Sequence, residues 1–185
     1  MSDEDLLTLA TELEGHPDNV AAAFYGGATI AWLESKINSE GESSNVGRAV
    51  SLKVDDRIKA LLLVPENQLS TAKARKLLPE SISHQDAVLN SSRTALLVHA
   101  LAERPDLLFT ATEDLLHQKY REEAMPKSIA LVEKLRGAGL AAVVSGAGPS
   151  VMVLYSGAED EIDQIQSVSP GFTAMKLAIA KTGVQ

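Results

Sequence analysis

Two short apolar runs around a four-residue turn constrain the fold most. Leu-Ala-Ala-Val-Val-Ser at 140–145 and Ser-Val-Met-Val-Leu-Tyr at 150–155 flank Gly146-Ala147-Gly148-Pro149. Runs of this length, rich in β-branched residues, read as buried strands. The tight turn between them makes them neighbours in an antiparallel sheet. A helix is expected over 126–136, stopped by Gly137 and Gly139, with Pro126 at its start. A short acidic helix at 158–167 and a last strand at 172–180 follow. Helix, strand, turn, strand, helix, strand, without strict βαβ alternation, predicts the α+β class. The expected architecture is ferredoxin-like, an antiparallel sheet with helices on one face.

The earlier chain supplies the remaining elements. A helix is expected over 3–13, capped by Ser2, with Leu6, Leu9, Ala10 and Leu13 on its inner face. A short helix ends at Tyr25. Strands are expected at 28–34, at Val50 to Val54 and at Ile58 to Val64, with a polar loop at 38–47. Ser70 starts a helix over 71–77, and Ser83 starts a long one to about Glu103. Residues 106–121 read as a further helix, which sets His117 and Arg121 on one face.

Composition removes whole classes of function. The 185 residues include no cysteine, which excludes disulfides, thiolate catalysis and cysteine-zinc sites. A formal net charge of −8 opposes broad nucleic-acid binding, which needs a basic face. No apolar run approaches the roughly 18 residues of a membrane span. Met1 is followed by Ser2-Asp3-Glu4-Asp5 rather than by a basic, then apolar, leader. A cytoplasmic protein is expected.

Three places could carry chemistry. Glu14-Gly15-His16-Pro17-Asp18-Asn19 crowds an acid, an imidazole and an amide at a helix entrance. Such an entrance offers free N–H groups and partial positive charge to a small polar ligand, or is simply capped by His16 or Asp18. Ser145 to Ser150 allows close backbone approach by a ligand, or is only a turn that needs positive φ. Arg75, one helical turn from Thr71, and Arg121, near His117 and Tyr120, could each grip a carboxylate or phosphate through two parallel bonds, or sit on the surface. There is no Walker A loop, no zinc-binding His-Glu-x-x-His and no nucleophile elbow.

Taken together, four motifs resemble homoserine kinase of the GHMP kinase superfamily. They are Glu-Gly-His-Pro-Asp-Asn with Gly-Gly (14–19, 26–27), Ser-Thr-x-x-Ala-Arg-x-x-Leu-Pro (70–79), His-Gln-x-Tyr-Arg (117–121) and Ser-Gly-Ala-Gly-Pro-Ser (145–150). The last marks the superfamily, and the first three point to the homoserine branch. The resemblance implies transfer of the γ-phosphate of ATP, with Mg2+, to the hydroxyl of L-homoserine, a step toward threonine. Carried over by position, His16 and Asn19 contact homoserine. Thr71, Arg75 and Arg121 complete its pocket, the arginines near the α-carboxylate. Ser145, Gly146, Ala147 and Gly148 lie beside the phosphates. An acid before the polar entrance, Glu14 or Glu12, supplies a magnesium ligand. Phosphoryl transfer needs positioning and charge neutralisation more than covalent help, so no catalytic base is assigned.

The family's N-terminal strand motif and its Gly-Leu-Gly-Ser-Ser-Ala phosphate loop have no counterpart in these 185 residues. Residues 1–55 are therefore expected to be the remnant of a nucleotide-binding domain, and 56–185 the C-terminal domain. Little kinase activity is expected from the chain alone. Apolar faces and sheet edges left uncovered would favour oligomers, a homodimer among them. The competing readings are another GHMP small-molecule kinase, such as a mevalonate-type enzyme, or a non-catalytic ferredoxin-like domain that binds an amino acid or a partner chain.

Overall fold

A computed structural model describes residues 2–37, 43–66, 74, 76–157, 162, 165 and 169–184. It divides into two compact units, one of residues 1–54 with 179–185, the other of residues 55–178.

The first unit builds on a long hairpin. Strands β1 (Ala28–Ile37) and β2 (Ser43–Leu52) pair antiparallel from Ala28 opposite Leu52 to Ile37 opposite Ser43. The second strand thus begins before the end of the polar loop expected at 38–47, and it stops short of Val54. Residues 38–42 lie outside the described part. Helix α1 (Asp3–Glu14) opens with the expected Ser2 cap, in a reciprocal box with Asp5. Its inner face differs from the expected one. Leu7 and Thr11 are buried, one turn apart, whereas Leu9 is 46% and Leu13 84% exposed. The reason is local: Thr11 returns its hydroxyl to the Leu7 carbonyl (2.6 Å) and presses on Gly47 of β2, where only a glycine fits. Helix α2 (Asp18–Tyr25) has Pro17 as its cap, ends at the expected Tyr25 and is followed by Gly26 in positive φ. The last residues, expected with the second part of the chain, pack here instead. Gly27 N–H donates to the Ala180 carbonyl (2.7 Å) and Val184 N–H to that of Ala23 (3.0 Å).

The second unit holds a four-stranded antiparallel sheet. Its strands are β3 (Lys59–Pro65), β4 (Ala141–Val144), β5 (Val151–Tyr155) and β6 (Phe172–Leu177), in spatial order β4-β5-β3-β6. Numbered from β3, that order is 2-3-1-4, the ferredoxin-like arrangement, so the expected α+β fold stands. The last strand ends three residues before the expected 180. Register puts Ala142, Val153 and Leu61 in one row and Val144, Val151, Leu63 and Ala174 in the next. Side chains two apart share a face, so these rows form one apolar surface. Helix α5 (Pro126–Gly137) lays Ile129, Val132 and Leu135 on it, and the helical, buried Ile162 and Ile165 join the same core.

The second unit also holds helix α3 (His84–Ala102), capped by Ser83, and a short α4 (Leu108–Ala111). The single helix expected over 106–121 does not form. Pro105–Leu107 and Lys119–Arg121 are 3₁₀ turns, and the chain between α4 and the second of them is irregular. Two side chains break the helix. Thr112 Oγ1 donates back to the Leu108 carbonyl (2.7 Å), and the Asp114 carboxylate accepts the N–H groups of Leu116, His117 and Gln118 (3.2, 3.0 and 2.6 Å). Such local bonds satisfy backbone groups that a helix would need. His117 and Arg121 therefore share no helical face.

Candidate functional site

In the second unit, the segment 117–121 and the turn 145–150 come together. Arg121 is 6% exposed and donates from Nη1 to the Gly146 carbonyl (3.0 Å). Gln118 accepts the Val144 N–H at the end of β4 (2.8 Å). Ser128, on α5, donates to the Pro149 carbonyl (2.5 Å). The turn also closes on itself, Ser145 N–H to the Ser150 carbonyl and Gly148 N–H to that of Ser145 (2.8 and 2.9 Å). These bonds leave two adjacent donors. Among the described residues, the N–H groups of Gly146 and Ala147 have no partner. Gly146 (φ +57°) has nothing within 4 Å of where a Cβ would stand, so its backbone faces open space. Gly148 (φ +84°) is the opposite case, since a Cβ there would meet Met125 at 2.6 Å and Val144 at 3.0 Å. One glycine gives access and the other gives close packing.

Free N–H groups next to a buried guanidinium make a cradle for an anion's oxygens. His117 is not part of it. Its ring lies against Asp114 (Nδ1 to Oδ1, 3.0 Å). Burial works against a charge on Asp114, but the hydrogen bond from His117 and the N–H groups of Gln118 and His117 outweigh it, and hold the carboxyl down at about 2.

The polar entrance belongs to the first unit. His16 Nδ1 is in contact with the Asp18 carboxylate, and its Nε2 stands 3.9 Å from Glu14 Oε1. Asp18 also accepts the Asn19 N–H (2.9 Å). No side chain caps α2, so neither His16 nor Asp18 does the capping job. Glu14 is exposed, and among the described residues no group of three His, Asp or Glu side chains could hold a metal. A single carboxylate is nevertheless what Mg2+ takes from a protein when phosphate oxygens supply the other ligands. Thr71 and Arg75 lie outside the described residues. Sequence reasoning missed Ser128 and Met125, which carry no motif signal, and gave no role to Gln118, which stood inside a motif.

Residues 92–169 match the family described as GHMP kinases C terminal. The fold agrees: a crystal structure of homoserine kinase from Cytophaga hutchinsonii superimposes with a TM-score of 0.74 at 24% identity, covering 99% of this chain and 60% of that one. Over residues 92–169 the chain is similar to the C-terminal domain of GHMP kinases, and its fold is that of the solved homoserine kinase. Curated relatives match beyond that segment. Homoserine kinase of Streptomyces coelicolor is 47% identical over 184 residues, 99% of this chain and 56% of the relative. That of Mycobacterium tuberculosis is 45% identical over 181 residues, 97% of this chain and 56% of the relative. The chain thus spans little more than half the length of the relatives it matches.

Proposed function

We propose that this chain is the substrate-side portion of a homoserine kinase, which moves the γ-phosphate of ATP to the hydroxyl of L-homoserine in the cytoplasm. The observation that carries the reading is the buried Arg121 bonded to Gly146, beside the unused N–H groups of Gly146 and Ala147. In this reading Arg121, with Arg75 and Thr71, receives the amino-acid carboxylate, and His16 and Asn19 hold the rest of the substrate. Within Ser145 to Gly148, the N–H groups of Gly146 and Ala147 are the donors offered to phosphate oxygens. Such donors stabilise charge that develops during transfer without needing to move. Glu14 offers its carboxylate to Mg2+, which neutralises phosphate charge when bound. Residues 1–55, joined by the last few residues, belong to the nucleotide-binding domain, and the rest of 56–185 forms the C-terminal domain.

A chimera tests this. The part of the Streptomyces coelicolor enzyme that lies outside the matched region is joined to this chain, and ADP release is followed. The expected result is ADP release that depends on L-homoserine and not on mevalonate. Release with mevalonate alone, or none from a folded chimera, would overturn the reading. The unfused chain is expected to release little or no ADP under the same conditions.

A further inference from the structure

A cleft of about 480 Å³ opens between α3, the irregular segment 113–119 and α5. Its walls are apolar, from Leu89, Leu115, Ile129 and Val132, with charged groups at the edge. Most of those charges are already committed. Arg93 Nε holds Glu113 (2.6 Å), Lys119 holds Asp86 (3.3 Å), and Asp114 serves the backbone and His117. Arg136 is the exception. Its Nη1 donates to Thr112 Oγ1 (3.0 Å) and the Ala142 carbonyl (3.3 Å), and its Nη2 to the Phe109 carbonyl (2.8 Å). The guanidinium also stacks 4.5 Å from the Phe109 ring centroid. None of these partners carries a charge. Among the described residues, no carboxylate lies within ion-pair distance of Arg136. Burial pushes its pKa down, while the more distant Glu113 pulls it up. Three of its five N–H hydrogens are used, which leaves the Nε hydrogen and one on Nη2, on neighbouring nitrogens of the fork. Glu133, also on the cleft, makes no ion pair among the described residues.

We infer that this cleft binds a small carboxylate with a branched apolar body, its carboxylate on Arg136 and its body among Leu89, Leu115, Ile129 and Val132. The size suits such a ligand, since small-molecule sites run from roughly 300 to 1,000 Å³, mostly apolar with a few polar groups that orient the guest. The carboxylate supplies the countercharge that Arg136 lacks, through the two parallel bonds that a guanidinium favours. An α-amino acid and a plain carboxylic acid share this chemistry. Glu133 separates them, because only the former brings an ammonium group for it to meet.

The test is calorimetric titration of this chain with sodium 4-methylpentanoate, L-isoleucine and acetate. Saturable binding of one or both branched ligands is expected, with acetate at least tenfold weaker. Arg136→Lys, which keeps the charge but loses the fork, is expected to weaken the branched ligands at least tenfold. Should that variant fail to fold, as judged by circular dichroism, Leu115→Trp fills the cleft from a half-buried position and is expected to abolish binding. Glu133→Gln assigns the source: a loss confined to isoleucine marks an amino acid, and no loss marks a plain carboxylic acid. No saturable binding of either branched ligand, or binding unchanged in a folded Arg136→Lys or Leu115→Trp chain, would overturn the proposal. Neither outcome bears on homoserine, which is read at Arg121.

Discussion

Replacing Gly148 by alanine tests how the turn 145–150 is built. Two costs are expected, and the structure separates them. The first is conformational: Gly148 sits at φ +84°, and a left-handed backbone costs a residue with a Cβ about 1–2 kcal/mol. The second is steric, since the new Cβ would stand 2.6 Å from the Met125 sulfur and terminal methyl and 3.0 Å from Val144. Met125 is only 4% exposed, so its end has little room to swing away, and overpacking of this kind costs roughly 1–3 kcal/mol. The sum is about 2–5 kcal/mol, a large fraction of a typical domain's stability. Gly146→Ala is the internal control, with φ +57° and open space around its Cβ, so only the conformational cost of about 1–2 kcal/mol is expected. Urea unfolding followed by circular dichroism measures both. In a Met125→Ala background, where the sulfur is gone, Gly148→Ala should fall toward the cost of Gly146→Ala. The reasoning is refuted if Gly148→Ala costs no more than Gly146→Ala, or costs the same with and without the Met125 side chain.

Other perturbations have equally definite outcomes. Asp114 has its carboxyl held at about 2 against an ordinary 3.8, so its ionised form stabilises the fold fully above pH ~4 and that stability is lost as pH falls toward 2. The shift corresponds to about 1–2 kcal/mol once solvent screening is allowed for, and the stability gap between the native chain and Asp114→Asn should narrow by more than half of that amount in urea titrations run from pH 6 down to pH 2.5. Gly47→Ala would drive a Cβ to 2.2 Å from Thr11 Oγ1 and should lift α1 off β2 at a cost of roughly 1–3 kcal/mol, seen as faster amide exchange along α1. Ile30 and Val50 pair across the hairpin with Trp32 on the same face, all three exposed; the single tryptophan should be readily quenched by acrylamide, and Val50→Lys should reduce binding of an apolar dye.

How much of this was legible in the sequence depends on where the determining contacts lie. The sheet was, because two short valine-rich apolar runs, 140–145 and 150–155, flank a turn in which two glycines bend the chain. The broken helix at 106–121 was not. Its leucines have helical spacing, and the decision rests on Asp114 and Thr112, which bond to backbone a few residues away. A mid-helix Asp and Thr are weak hints of such a break. The inner face of α1 was misread because Leu9 and Leu13 suit a helical stripe, while the actual contact is Thr11 against Gly47, far along the sequence. At the candidate site, Arg121 and the 145–150 turn were both visible as motifs, and the structure joins them. Gln118, Ser128 and Met125 support that turn through contacts across more than twenty residues, which no local pattern reveals.

The central claim is that Arg121, beside the turn it holds, receives the carboxylate of a small amino acid. Calorimetric titration of the chain with L-homoserine tests it most directly, with Arg121→Lys as the comparison and circular dichroism as the check on folding. The account predicts saturable binding to the native chain and an affinity at least tenfold lower in the variant, because lysine offers no fork for the carboxylate. No saturable heat from the native chain, or equal affinity in a folded Arg121→Lys chain, would contradict it.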